Sequence, residues 1–253
     1  MNETTRQAWD AYWQDYERPD YINYTPEIVN TIKAFVDVAQ SRILEIGVGT
    51  GGNSSLLAAC GAQVVILDFS SLALDRARRT AQQTGVQLRS VLADARQLPF
   101  DAGGFDLVFH QGFLEHFRDP APLVQEQRRV LRSGGYLLVD VPQRYNLYTL
   151  YKHRLIKKGR WPYGGWEREF GYAELRNLLE TYGFSVITAY GRGYFPRLFA
   201  MLHNLPNAEK KIFDRRIIPI RWWEPYQQLW DRFGRSTIGI NTLQSLGILA
   251  RAV

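Results

Sequence analysis

Ile43-Leu44-Glu45-Ile46-Gly47-Val48-Gly49-Thr50-Gly51-Gly52 is the stretch on which the reading of this chain turns. Its opening apolar and branched residues predict a short buried strand, and the glycines that follow permit a tight turn. Asn53 through Cys60 then has helix-compatible spacing, with Leu56, Leu57 and Ala58 available to pack on a sheet. A glycine-rich turn between a strand and a helix lets a ligand approach the backbone closely at the helix N-terminus. The stretch therefore predicts a nucleotide-like pocket.

Downstream, Ala62-Gln63-Val64-Val65-Ile66-Leu67-Asp68 is a β-branched run that ends in a carboxylate. An acidic residue at the tip of a second parallel strand is placed to accept both ribose hydroxyls. Leu72 to Gln83 predicts a helix with an arginine-rich exposed face, and Gln87 to Leu92 a third strand running into Ala93-Asp94-Ala95-Arg96-Gln97-Leu98-Pro99-Phe100. The fourth strand is Phe105 to Phe109, followed by His110-Gln111-Gly112-Phe113-Leu114-Glu115-His116-Phe117. A helix from Pro122 to Leu131 ends in Leu131-Arg132-Ser133-Gly134-Gly135, and Tyr136 to Val141 is a fifth strand. Tyr172 to Tyr182 reads as a helix ended by Gly183, Phe184 to Tyr190 as a sixth strand, and Ser236 to Val253 contains a seventh.

Two families share such a pocket. Gly47, Gly49 and Gly52 satisfy G-x-G-x-x-G, the dinucleotide fingerprint. Glu45, Gly47, Gly49 and Gly51 also give an acidic residue followed by G-x-G-x-G, which resembles the first motif of class I S-adenosylmethionine (SAM) dependent methyltransferases of the small-molecule, type 11 kind. Asp94 with the following Leu98-Pro99-Phe100 resembles the adenine-binding turn of that family, and Leu131 to Gly135 its L-x-P-G-G turn with Ser133 in place of proline. The resemblance covers roughly residues 40 to 142. It implies an α/β fold with a Rossmann-like, seven-stranded, mostly parallel doubly wound sheet whose last strand is antiparallel. It also implies SAM as cofactor, held by Glu45, Gly47, Gly49 and Gly51 at the amino acid end, by Asp68 and Phe69 at the ribose, and by Asp94, Ala95, His110 and Gln111 around the remainder. His110 is the candidate catalytic base, since it follows the fourth strand.

The whole chain, 1–253, is expected to be one such domain with additions. In residues 1–40, Trp9, Tyr12, Trp13 and Tyr16 recur at helical spacing, and Glu27 to Val38 predicts a second helix. By the resemblance this segment is a lid over the cofactor, with Tyr12, Tyr16, Tyr21 and Tyr24 as candidate lid residues. Residues 144–168 and 193–235 interrupt the pattern and are expected to form a cap over the C-terminal strand ends.

Composition bounds the function. The chain is 45% hydrophobic and 22% charged, ordinary for a globular protein. No apolar run is long enough to span a bilayer and no signal-peptide pattern is present, so a cytoplasmic location is expected. The single cysteine, Cys60, excludes an internal disulfide and any cysteine-based metal site, and no metal is expected. The net charge of +6 is uneven: residues 144–235 hold 17 Lys/Arg against 8 Asp/Glu, the remainder 14 against 17. The basic part also holds five of the seven tryptophans, which suggests an anionic partner. Base-modifying amino-methyltransferases carry N/D-P-P-Y after the fourth strand; His110-Gln111-Gly112-Phe113 stands there instead, which argues against nucleic acid. Three readings stay open: transfer of a methyl group to an O or N nucleophile of a small acidic or amphipathic acceptor; transfer at a membrane surface to a lipid-like or quinone-like acceptor, with peripheral membrane contact; and a non-catalytic SAM-binding module.

Overall fold

Ile43 and Leu44 point to opposite faces of the same strand, and each face meets its own helical layer. In the structure, a computed structural model that describes residues 6–14, 24–159, 166–193, 228–229 and 231–253, that strand is β1 (Arg42–Ile46). Around it run α1 (Arg6–Gln14), α2 (Pro26–Phe35), α3 (Gly52–Ala59), β2 (Gln63–Asp68), α4 (Ser71–Gln83), β3 (Arg89–Leu92) and β4 (Phe105–Gln111). A 3-10 turn (Leu114–His116), α5 (Ala121–Val130), β5 (Leu131–Pro142), α6 (Leu147–Lys157), α7 (Tyr172–Thr181), β6 (Phe184–Arg192), α8 (Thr237–Thr242) and β7 (Ser245–Ala252) follow.

The seven strands form one sheet in the order β3-β2-β1-β4-β5-β7-β6. β1 to β5 pair in parallel, and β7 runs antiparallel to both neighbours, as expected. The chain order reverses between β1 and β4, and ligands of open α/β sheets bind outside the C-terminal strand ends at such a point. Ile43, Ile66, Leu107 and Phe109 pack on one face with Ile28, Ile32, Leu57 and Leu74 of α2 to α4. Leu44, Val108, Leu137 and Val139 pack on the other with Leu123 and Val124 of α5 and Leu175 and Leu179 of α7. Each such side chain contributes on the order of 1.5–3 kcal/mol on full burial.

Two of the boundaries that differ from the sequence reading bear on the site. β4 does not stop at Phe109: His110 pairs with Val139 and Gln111 with Asp140. Alternation then puts His110 on the face of Val108, beneath α5, with no exposed surface. β5 begins at Leu131, so the glycine turn lies within it. Phe105 pairs with Leu131 and Leu107 with Tyr136, and the intervening residues bulge.

The first insertion starts and ends at one point, since Arg144 N–H donates to Phe170 O (3.0 Å) and Phe170 N–H to Pro142 O (3.0 Å). Its return leg lies against the turn after β4 through Arg168 N–H to Glu115 O (3.0 Å). Asn146 caps α6 by accepting from Thr149 N–H at 2.9 Å. Of the second insertion only residues 193, 228–229 and 231–235 are among those described, and Tyr16 and Tyr21 also lie outside them. Among the described residues no helix is long and apolar enough to cross a membrane, and no cluster of three metal-ligating side chains occurs.

Candidate functional site

Gly47 leaves β1 at φ +67°, and a Cβ there would come within 2.9 Å of the Phe113 ring. Gly51, at φ +73°, starts α3, and a Cβ there would meet Ala77 Cβ at 2.7 Å. Only glycine meets both demands, so the motif turns sharply and α3 packs tightly on α4. The open backbone faces two adjoining cavities.

The first, of about 250 Å³, lies between the motif and α1. Gly47, Gly49, Asp68, Phe69, Asp94, Ala95 and Gln111 line it together with Trp9, Tyr12, Trp13, Phe113 and His116. Asp68, almost wholly buried, accepts from Ser70 N–H at 2.9 Å, and burial raises its carboxyl to about 6. Asp94 is half exposed and is gripped by Arg96, Nη2 to Oδ2 at 2.6 Å, which keeps it below the usual carboxylate range. α1 closes over this cavity: Ser70 Oγ donates to Asp10 at 2.6 Å, and Trp9 meets the His116 ring edge-on at 5.0 Å. His116 is buried, which lowers its pKa, and its Nδ1 lies 3.3 Å from Trp166 O.

The second cavity, of about 330 Å³, shares Gly47, Gly49, Gln111 and Gly112 with the first and continues past Glu45, Asn53, Glu115, Asp140 and Arg192. Glu45 is 3% exposed; burial raises it to about 8 despite a short hydrogen bond from Ser54 Oγ. The Gln111 side-chain oxygen accepts from Thr25 Oγ1 (3.0 Å) and Asn53 Nδ2 (3.2 Å), joining the entry to α2, the start of α3 and the end of β4. Arg192 clamps Asp140 through Nε to Oδ2 (2.8 Å) and Nη2 to Oδ1 (2.6 Å), and the Tyr190 hydroxyl donates to Oδ2 at 3.1 Å.

The expected set is thus divided. Asp68, Phe69, Asp94 and Ala95 line one cavity, Glu45 lines the other, and Gly47, Gly49 and Gln111 line both. Gly51 is set back in the helix start. His110 lines neither. Burial lowers its pKa to about 4, and the nearby Gln127 side chain only partly opposes this, the two falling short of hydrogen-bond geometry. Of the tyrosines expected in the lid, Tyr12 lines the first cavity, with Trp9 and Trp13 beside it, and Tyr24 is 45% exposed. Asp140 and Glu115 were legible only as carboxylates in apolar surroundings. Arg192, 52 positions from its partner, had no local signal.

These residues fit SAM. Aromatic walls suit a purine, a buried carboxylate suits a diol, and a second carboxylate suits a cationic amine.

Residues 44–139 match the family model of a methyltransferase domain. A demethylmenaquinone methyltransferase from Clavibacter sepedonicus is 40% identical over 111 residues, 44% of this chain and 45% of the relative. The chain thus spans about half the length of that relative. A ubiquinone biosynthesis O-methyltransferase from Xanthomonas axonopodis pv. citri is 28% identical over 196 residues, 74% of this chain and 80% of the relative. Magnesium protoporphyrin IX methyltransferase from Synechocystis PCC 6803, crystallised with bound SAH, superposes with a TM-score of 0.63 at 17% identity, over 98% of this chain and 94% of that one. Sequence match and fold point the same way: residues 44–139 resemble a methyltransferase domain, and the whole fold is shared with a methyltransferase crystallised with bound SAH.

Proposed function

We propose that the chain transfers a methyl group from SAM to an oxygen nucleophile of a small amphipathic acceptor of quinone-like type. The observation that carries this is the pair of cavities joined along Gly47, Gly49, Gln111 and Gly112: one with the features of an adenosine site, the other large enough for a ring-sized acceptor. Adenosine would lie against Asp68, Phe69, Asp94 and Ala95, with the amino acid end toward Glu45. The protein's task is then to hold the acceptor in line and exclude water, since the donor supplies the driving force.

Relatives named for menaquinone and ubiquinone biosynthesis support a quinone-like acceptor over a strongly anionic one. So does the second cavity itself. Its one arginine is consumed by Asp140, so little net positive charge is left for an anion. In this reading the chain is one domain, residues 1–40 act as its lid, and residues 144–168 and 193–235 act as its cap. It works at the cytoplasmic face of a membrane, where basic residues meet anionic lipid.

The test is turnover of SAM to S-adenosylhomocysteine with a panel of hydroquinones, catechols, amines and amino acids. Selective methylation of ring hydroxyls is expected. Turnover confined to amines would refute the acceptor class, and failure to bind S-adenosylhomocysteine by calorimetry would refute the site.

A further inference from the structure

Glu115 stands in the second cavity with no task in cofactor binding. It sits on the 3-10 turn after β4, is 3% exposed, and lines the cavity beside Gln111, Gly112 and Asp140. Its Oε2 has no hydrogen-bond partner among the described residues. Buried carboxyl oxygens are normally paired, so an unpaired one on a residue that lines a cavity points to a partner that arrives with a ligand. Nearby cations are already engaged: Lys152 by Glu167 and Glu169 at 2.5 Å each, and Arg192 by Asp140. Gly112 matters too. A side chain there would start 3.5 Å from Glu115 Oε1, so glycine keeps the space beside the carboxyl open where the two cavities meet.

We propose that Glu115 is the general base of the reaction and that the acceptor group it serves is a weakly acidic hydroxyl. This rests on the function proposed above. In the step, the acceptor O–H bond breaks and its proton passes to the Glu115 carboxylate. The acceptor oxygen forms its bond to the methyl carbon as the sulfur–methyl bond breaks, and that electron pair remains on sulfur as a neutral thioether. The proton then leaves Glu115 for solvent. Burial first, with the charges of Glu167 and Asp140 adding to it, holds this carboxyl well above the ordinary range, while its own backbone N–H and then Lys152 oppose them. A carboxyl held above its ordinary range is a stronger base than a free one, which suits a phenol-like group that keeps its proton in water.

The test compares wild type with Glu115→Gln and Glu115→Asp on two acceptors: a catechol protonated at the assay pH and a nitrocatechol already ionised there. Glu115→Gln should slow the first about 10²–10⁴-fold and leave the second near wild type, with S-adenosylhomocysteine affinity unchanged. Glu115→Asp should recover part of the loss. Wild-type turnover of the first should rise with pH as Glu115 ionises, and in Glu115→Gln it should rise only as the acceptor itself ionises. Infrared difference spectra of the ligand-free protein should show a protonated-carboxyl band that disappears as pH rises, absent from Glu115→Gln. Equal losses on both acceptors would mean that Glu115 only supports the turn, and an unchanged rate and pH profile would remove it from the chemistry; either overturns the proposal. Wild-type protein that binds S-adenosylhomocysteine but methylates no hydroxyl would refute the underlying function, and the base with it.

Discussion

Glu45 is buried against Ser54, and at pH 7 its carboxyl, raised to about 8, holds a proton in the empty protein. A cationic amine placed beside it favours the carboxylate, so the proton must leave as the ligand arrives. Binding of S-adenosylhomocysteine at pH 6–7 is therefore expected to release on the order of one proton, and affinity to rise with pH toward 8. Calorimetry in two buffers of different ionisation enthalpy measures the release, and Glu45→Gln should abolish it. The same shift acts on folding. Because the folded pKa lies above the unfolded one, its contribution to the stability of the empty protein is complete below about 4.5 and is lost as pH climbs through 8. Glu45 was legible because a carboxylate two residues before a glycine turn is conspicuous. His110 was misplaced because strand ends depend on pairing with β5, and one added pair moved it from a loop to the core.

At the scale of elements, α6 shows how an insertion is held. Lys152 is 2% exposed and bridges Glu167 and Glu169, both on the return leg, so one ammonium ties the helix to the segment that follows it. Burial pushes its pKa down, but the two carboxylates outweigh this and leave it raised. Removing the ammonium strands two partly buried carboxylates. Lys152→Met is expected to cost about 3–5 kcal/mol in urea denaturation, the usual penalty for breaking a buried ion pair from one side. His153→Ala, at an exposed neighbour, should cost under about 0.5 kcal/mol. A Lys152→Met variant as stable as wild type would show that the return leg is held by its backbone hydrogen bonds alone. The basic character of this insertion was plain in the sequence; that one of its lysines points inward was not, because 15 residues separate Lys152 from Glu167.

At the scale of the whole molecule, charge and exposed apolar surface coincide, among the described residues, on and beside α6. Tyr145, Leu147 and Leu150, just before and within the start of α6, are each at least 60% exposed, and Arg154 and Lys157 on the helix and Lys158 at its C-cap follow. Apolar side chains rimmed by cations suit an anionic lipid surface, where each cation adds about 1 kcal/mol at low salt. The protein is expected to co-sediment with phosphatidylserine-containing vesicles at low salt, to detach at high salt, and to bind less tightly as Leu147→Ser/Leu150→Ser. Binding that ignores salt and these two leucines would remove α6 from any membrane contact.

The succession of strands along the chain, the glycine turn and the positions of the Glu45 and Asp68 carboxylates were determined by sequence alone, because each depends on local periodicity or on a backbone conformation that only one residue type tolerates. The partition of the site was not. That Gln111 joins two cavities, that Arg192 neutralises Asp140, that His110 faces α5 and that Glu115 faces the cavity all follow from how β4, β5 and the return leg pack. Those contacts cross 50 residues or more of chain in places, and a pattern read along the chain contains no term for them.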